Sequence, residues 1–200
     1  HCKTRRQRQM CIRDRYNDLE FKKKNPVLIW RGATAGFKIN NHADRFTLVE
    51  NWFDKSDKID IGFHIVTSNF KPYLKYKKTE IKIEEMLKYK YILSVDGNDR
   101  DSGLNWKLKS KSIVFMAKPR IISWLMEDKL EANVHYIEVK TDFSDLLEKI
   151  EWCENNTEKC IKIIENANNY MKQFENPYIE ELIENEILNV YFNKVDYSKI

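Results

Sequence analysis

Glycine and proline are scarce, at five and four in 200 residues. A long, turn-rich all-β architecture draws heavily on both, so the composition argues against that class. No apolar run approaches 18 residues, which leaves no transmembrane helix signal. No apolar stretch follows the basic N-terminus, so no signal peptide is visible. The chain starts at His1 and not Met, so this says little about a longer parent. The four cysteines form no CxxC and no Cys/His cluster with zinc spacing, which argues against a secreted disulfide scaffold and a zinc site. A basic footprint on the folded part is also lacking. The formal charge is +4, but residues 1–24 alone carry +6 and the other 176 residues sum to −2. Nucleic-acid binding is therefore poorly supported.

What is present is core-forming material: 42% apolar residues, 12% aromatic and 33% charged. Residues 1–24 stand apart. HCKTRRQRQMCIRDR has almost no apolar periodicity and reads as a basic disordered tail, or as foreign sequence of the kind translated from an adaptor or vector. The alternative is a basic arm for RNA or an anionic membrane. Order is expected from about residue 25.

PVLIW (26–30) reads as a buried strand entering a loop at Arg31-Gly32. NNHADRFTLVENWF reads as a helix capped by Asn40 or Asn41, with Phe46, Val49, Trp52 and Phe53 on one side. KIDIGFHIV (58–66) is β-like, and TEIKIEEMLKYK (79–90) reads as a helix capped by Thr79. KYILSV (90–95), SIVFMA (112–117) and NVHYIEV (133–139) read as strands, the first two covered on both faces. Short helices are expected at 102–110 and 122–130. A long helix follows a cap at Thr141 or Asp142, with a break near 155–157. Residues 176–200 read as an amphipathic helical extension starting at Pro177, with Ile179, Leu182, Ile183, Ile187 and Val190 on its apolar side. Strand and helix alternate throughout. That order predicts an α/β fold, a parallel sheet with helices on both faces, over residues 25–175. Ligands of such folds lie beyond the C-terminal ends of the strands.

Several positions offer chemistry. Gly32 permits close backbone approach and Arg31 can fork onto a phosphate. The plain alternative is a strand-to-helix turn with a surface arginine. DGNDRDSG (96–103) is the most polar loop between two buried strands. Asp96, Asn98, Asp99 and Asp101 are oxygen donors, but the calcium-loop spacing fails. A better-fitting reading has Ser102 and the amides of Gly103 and Leu104 gripping phosphate, with charge from Lys107 and Lys109; a solvated turn is the alternative. Glu127 can accept two vicinal hydroxyls or be a surface glutamate. His135 and Tyr136 read as packed and hydrogen-bonded, since no orienting partner for a general base is evident. Cys153 and Cys160 read as packed; a Cys–His nucleophile is the unsupported alternative.

The stretches VDGNDRDSGLNWKLKSKSIVFMAKP and SWLMEDKLEANVHYIEVKTDFSDLLEKIEW, with the upstream IWRGATAG and DIGF, resemble glycosyltransferase family 90 over about residues 26–175. These are capsule-associated and protein O-glucosyltransferase-like enzymes. The resemblance implies a Rossmann-like sheet forming the C-terminal, donor-binding half of a GT-B type enzyme. It implies inverting transfer of glucose, xylose or a related sugar from UDP-glucose or UDP-xylose to a protein or polysaccharide hydroxyl. It implies no metal and no cofactor beyond the UDP-sugar itself.

By position, Arg31 and Gly32 match the family's diphosphate-binding turn. Gly97, Ser102, Gly103 and Lys107 match its donor loop, and Ser112 a small residue before the next strand. Glu127 falls in its Trp-x-x-Glu stretch, and His135-Tyr136 matches a supporting pair. The family's catalytic aspartate and acceptor-binding half lie N-terminal to the Trp-Arg-Gly turn. The chain is thus expected to be incomplete, to need that missing half as its partner, and to be inactive alone. Asn105 departs from the basic residue many relatives carry. Localisation stays open: the secretory lumen for a eukaryotic parent, the cytoplasm or a membrane-associated site otherwise. Two competing readings are a non-catalytic Rossmann-like interaction module and, more weakly, a basic-tailed RNA-binding protein.

Overall fold

The structure is a computed structural model, and it describes residues 18–36 and 42–195. Five strands form one sheet: β1 (Asn25–Ala33), β2 (Ile59–Ile65), β3 (Tyr89–Leu93), β4 (Ile113–Met116) and β5 (Ile137–Glu138). The order is β2-β1-β3-β4-β5 and every pairing is parallel. The helices are α1 (Arg45–Trp52), α2 (Ile83–Met86), α3 (Leu104–Lys109), α4 (Leu146–Asn155), α5 (Thr157–Lys172) and α6 (Pro177–Lys194).

The alternation of each strand explains why both faces are covered. Leu28 and Trp30 of β1 join Ile61 and Phe63 of β2, Tyr91 and Leu93 of β3 and Phe115 of β4 in one core. That core is closed by Phe46, Leu48 and Val49 of α1, by α4, and by Cys160, Ile163 and Ile164 of α5. The intervening Ile29 and Ile92 face the other way, onto Met86, Leu87 and Trp106. Val114 and Met116 do the same, onto Leu104 and Leu108 of α3 and Ala167 and Met171 of α5. The middle of β1 and the whole of β4 are apolar on both faces, as is the Tyr91–Leu93 part of β3, so these stretches read as unbroken apolar runs, while the edge strand β2 carries half-buried Asp60 and His64. The expected α/β class is what the chain adopts. Cys153 and Cys160 are buried and packed.

Several expected boundaries move, each for a tertiary or turn reason. Asp44, not Asn40 or Asn41, caps α1: one carboxylate oxygen accepts from Phe46 N and Thr47 N, both at 2.9 Å. Asn40 and Asn41 lie outside the described residues. The helix expected from Thr79 shrinks to the single turn α2. Lys77 bridges Phe63 and Lys78 N donates to Phe63 O, which holds this stretch extended beside β2. The helix expected at 122–130 is a 3-10 turn at Glu127–Lys129, because Met126 takes a left-handed conformation (φ 52°). The strand expected at 133–139 is cut to β5 by a turn at Asn133 (φ 59°). Asp142 caps only a turn, accepting from Ser144 N, and α4 begins at Leu146. The break between α4 and α5 lies at Asn156, within the stretch expected.

The packed unit also reaches back before residue 25. Phe21 is buried edge-on against Tyr91. The Lys24 ammonium is buried and held by Asp18, by Leu87 O at 2.5 Å and by Ser112 Oγ at 2.9 Å. Residues 1–17 of the expected tail lie outside the described residues. α6 is capped by Asn176, with Pro177 at its first turn, and Ile179, Leu182, Ile183, Ile187 and Val190 are all exposed. Among the described residues no helix is long and apolar enough to cross a membrane.

Candidate functional site

After β1 the chain goes to β2 on one side, then returns to place β3 on the other. That reversal opens a crevice beyond the C-terminal ends of β1 and β3. Two loops form it, and their backbones touch. Gly36 has φ +89°, and a Cβ there would sit 2.7 Å from Gly97 O, so both the dihedral and the contact demand glycine. Gly36 N donates to Asn98 Oδ1 at 2.8 Å, which fastens one loop to the other.

Arg45, the first residue of α1, fills the space below. Its guanidinium donates to Ala33 O (3.1 Å), Asp96 O (3.1 Å) and Val95 O (3.3 Å), with the Trp30 ring 6.0 Å away. A Cβ on Gly97 would lie 2.9 Å from this guanidinium. Arg45 therefore rivets the ends of β1 and β3 through carbonyls. No carboxylate among the described residues lies within ion-pair distance of it. Burial lowers its pKa, while Asp101 and Asp96 nearby work in the opposite sense. Sequence reading missed Arg45. Its position right after the capping Asp44 was the one available signal.

Asp101 organises the second loop. One carboxylate oxygen accepts from Ser94 Oγ (2.7 Å) and from the buried Lys107 ammonium; the other accepts from Gly103 N (2.9 Å). Lys107 also donates to Leu93 O at 2.9 Å. Burial pushes the Asp101 carboxyl up, but Lys107 and the hydrogen bonds outweigh it and hold the group below the usual carboxylate range. Leu104 N donates to Asp101 O. The Gly103 and Leu104 amides, expected to grip a phosphate, are thus already engaged by Asp101, and so is Lys107. Ser102 is exposed at the mouth of a cavity of about 140 Å³ that it shares with Arg31, Gly103 and Lys107. Lys109 is turned away from the crevice and pairs with Glu175 at 2.7 Å.

Arg31 lies inside β1, not in a loop. Its guanidinium meets both oxygens of Asp60 (2.9 Å each) and the carbonyls of Trp30, Asp60 and Thr79. Asp60 also takes Lys78 at 2.9 Å. Burial raises the Asp60 carboxyl, but the two cations outweigh it and bring it down. Every donor of Arg31 is committed to the protein, so it acts here as a fastener between β1, β2 and the 77–80 segment. Gly32, also in β1, leaves room for the Trp30 ring, which a Cβ would strike at 2.3 Å.

The remaining candidates are scattered. Ser112 is at the opposite end of the sheet, before β4, where it accepts from Lys24 and donates to Tyr89 O at 2.7 Å. Glu127 is buried, and its two oxygens take Ser123 N (2.6 Å) and Ser123 Oγ (2.7 Å), with Arg100 at 3.4 Å. Asp96 and Ser94 share a small cavity with Glu127. His135 Nδ1 accepts from Glu131 N, its ring packs edge-on to Tyr170, and burial lowers its pKa. Tyr136 is buried and donates to Glu138. Asn105 is wholly buried, and neither side-chain polar atom has a partner. Among the described residues no three His, Cys, Asp or Glu side chains gather as a metal site would need.

Fold and crevice together define a doubly wound α/β unit with a fixed cation at its topological switch point. The family model for glycosyl transferase family 90 matches residues 2–195, and the chain belongs to that family. It is 35% identical over 178 residues to O-glucosyltransferase LpsA of Dichelobacter nodosus, covering 89% of this chain and 53% of that protein. It is 38% identical over 79 residues to protein O-glucosyltransferase 2 of Danio rerio, covering 40% of this chain and 16% of that protein. A structural likeness to the C-terminal domain of a glycosyl transferase group 1 family protein, LpcC of Francisella tularensis, has a TM-score of 0.45. Its sequence identity is 12%, over 86% of this chain and 93% of that one. The chain spans about half the length of the bacterial relative.

Proposed function

We propose that this chain is the donor-binding half of a glycosyltransferase that takes a UDP-sugar and transfers glucose, xylose or a related sugar, with inversion, to a protein or glycan hydroxyl. The observation that carries the reading is Arg45. It is a fixed cation in the switch-point crevice, held by three carbonyls and, among the described residues, with no carboxylate ion-paired to it. A diphosphate oxygen about 4 Å from such a charge gains roughly 4 kcal/mol at an effective dielectric constant near 20. Arg45 takes the place first given to Arg31, whose donors are all spent on the protein.

In the proposed reaction the acceptor oxygen attacks the anomeric carbon. Its proton passes to a carboxylate base of the family's acceptor-binding half. The bond from the anomeric carbon to the phosphate oxygen breaks, and UDP departs with the electron pair. Arg45 meets charge that builds on the leaving oxygens, which is where a pre-placed cation lowers the barrier. The role assigned to this chain is to bind and orient the donor, and alone it transfers no sugar.

The test is calorimetric titration of the chain with UDP and UDP-glucose, beside Arg45→Ala. Saturable binding is expected, weakened tenfold or more by the substitution, the scale of one lost hydrogen-bonded charge. Binding that is indifferent to Arg45 overturns the assignment.

A further inference from the structure

Two carboxylates border the small cavity beyond β3 and β4, and they are not equivalent. Glu127 is spent: both oxygens are hydrogen-bonded to Ser123 and Arg100 lies against one of them. Asp96 is not. One of its oxygens accepts from Asp101 N at 3.2 Å, and no other hydrogen bond from the described residues reaches its carboxylate. Among the described residues the buried side-chain atoms left without partners belong to His64, Tyr91 and Asn105, so the second Asp96 oxygen is not sealed off, and Asp96 lines the cavity. We propose that Asp96 is a specificity-determining residue whose free carboxylate oxygen accepts hydrogen bonds from a vicinal diol of the bound nucleotide sugar.

The size of the cavity supports hydroxyl groups as its occupants. Its volume is about 30 Å³. A single water needs about 10–15 Å³, so there is room for about two oxygen atoms and none for a sugar ring. On this assignment the ring stays outside and its hydroxyls reach into the cavity, whose walls also include Pro119, Arg120 and Ile121.

The surrounding charge fits an acceptor. Burial pushes the Asp96 carboxyl up, with a smaller push from the Asp101 charge, while the hydrogen bond from Asp101 N and the charges of Arg120 and Arg45 pull it back without outweighing burial. A half-buried carboxylate with a single donor is short of partners, and a diol supplies two. A ligand without the diol leaves this oxygen desolvated and unpaired, which is the condition under which a polar site discriminates strongly.

The assignment rests on the nucleotide-sugar reading, and either of two diols fits it: that of the ribose or that of the hexose. The experiment separates them. UDP, 2′-deoxy-UDP and UDP-glucose are titrated by calorimetry into the whole chain, as wild type and as Asp96→Asn. The asparagine keeps an acceptor for Asp101 N and loses the charge. Asp96→Ser is the second variant, and thermal melts check that each is folded.

A hexose diol is indicated when Asp96→Asn loses about tenfold in affinity for UDP-glucose and none for UDP. A ribose diol is indicated when UDP and UDP-glucose fall together by that factor and 2′-deoxy-UDP binds wild type and variant alike. Unchanged affinities for all three ligands in folded variants overturn the role of Asp96 and leave the donor-site reading standing. A folded wild type that binds none of the three overturns the donor-site reading, and this assignment with it.

Discussion

Replacing Lys107 by methionine should reveal how much of the crevice is held by one buried ion pair. The side chains of Lys107 and Asp101 are 8% and 13% exposed, so solvent screens little of the pair. The methionine keeps most of the aliphatic stem and removes the ammonium. Asp101 then stays buried with only Ser94 Oγ and Gly103 N as donors, and Leu93 O loses its partner. Removing one member of a buried pair costs about 3–5 kcal/mol, and at this chain length each kcal/mol moves the melting point by roughly 2–4 °C. A fall of roughly 10 °C is expected at pH 7. Acid supplies the decisive comparison. In the wild type the Asp101 carboxyl is held below its unfolded value, so its contribution is complete above that value and is lost as pH falls through the folded one. In the variant burial is no longer outweighed, the folded value rises above the unfolded one, and protonation relieves the penalty. The two stabilities must therefore converge on acidification. Urea denaturation between pH 7 and pH 3.5 reads this directly. A deficit below about 1 kcal/mol at pH 7, or one that does not shrink with acid, refutes the account.

Arg31→Ala should lower stability by about 2–3 kcal/mol in urea melts, since it leaves Asp60 with Lys78 alone, yet leave the affinity of the folded protein for UDP unchanged. Arg31→Lys should not restore the loss, because an ammonium cannot make the forked contact. Ser112→Ala should cost about 1 kcal/mol through Lys24 and Tyr89 O and leave UDP titrations as they were, because the residue lies at the far end of the sheet.

The inner strands β1, β3 and β4 were legible because each holds a continuous apolar run ended by a polar or glycine-bearing turn, and β2 because it alternates, with Asp60 and His64 between apolar residues. The helices were legible in kind and not in length. Thr79 precedes a sound helical pattern, but the bond from Lys78 N to Phe63 O holds that stretch extended, and a period cannot report a bond to a residue fifteen positions away. The crevice was legible as a place, through the end of the first strand near Arg31-Gly32 and the polar loop after Val95, while the glycine at 36 was not singled out. Its working residues were less so. Arg31 and Lys107 announce charge, but whether a charge is spent depends on Asp60 and Asp101, which only the fold brings to them. Arg45 gave the opposite error. Three carbonyls from two separate strand ends make it a fixed cation, and carbonyls carry no signal in a sequence. Ser112 shows the limit of reading by position: its place before a strand fits the family pattern, yet the sheet points it away from the crevice.

The helix α5 lends its first half to one core and its second half to the other, and Asn168 donates to Leu108 O and Ser110 O, tying it to the end of α3. That has a consequence during synthesis. All five strands leave the ribosome before Cys160, Ile163, Ala167 and Met171, so two of the three cores are completed only after α5 has been made. Translation therefore passes through an interval in which a parallel sheet, slow to form because its contacts are distant in sequence, has α1 and α4 on one face and α2 and α3 on the other but lacks the α5 side chains that complete two of its cores. A premature stop before residue 160 removes Cys160, Ile163 and Ile164 from one core and Ala167 and Met171 from the other.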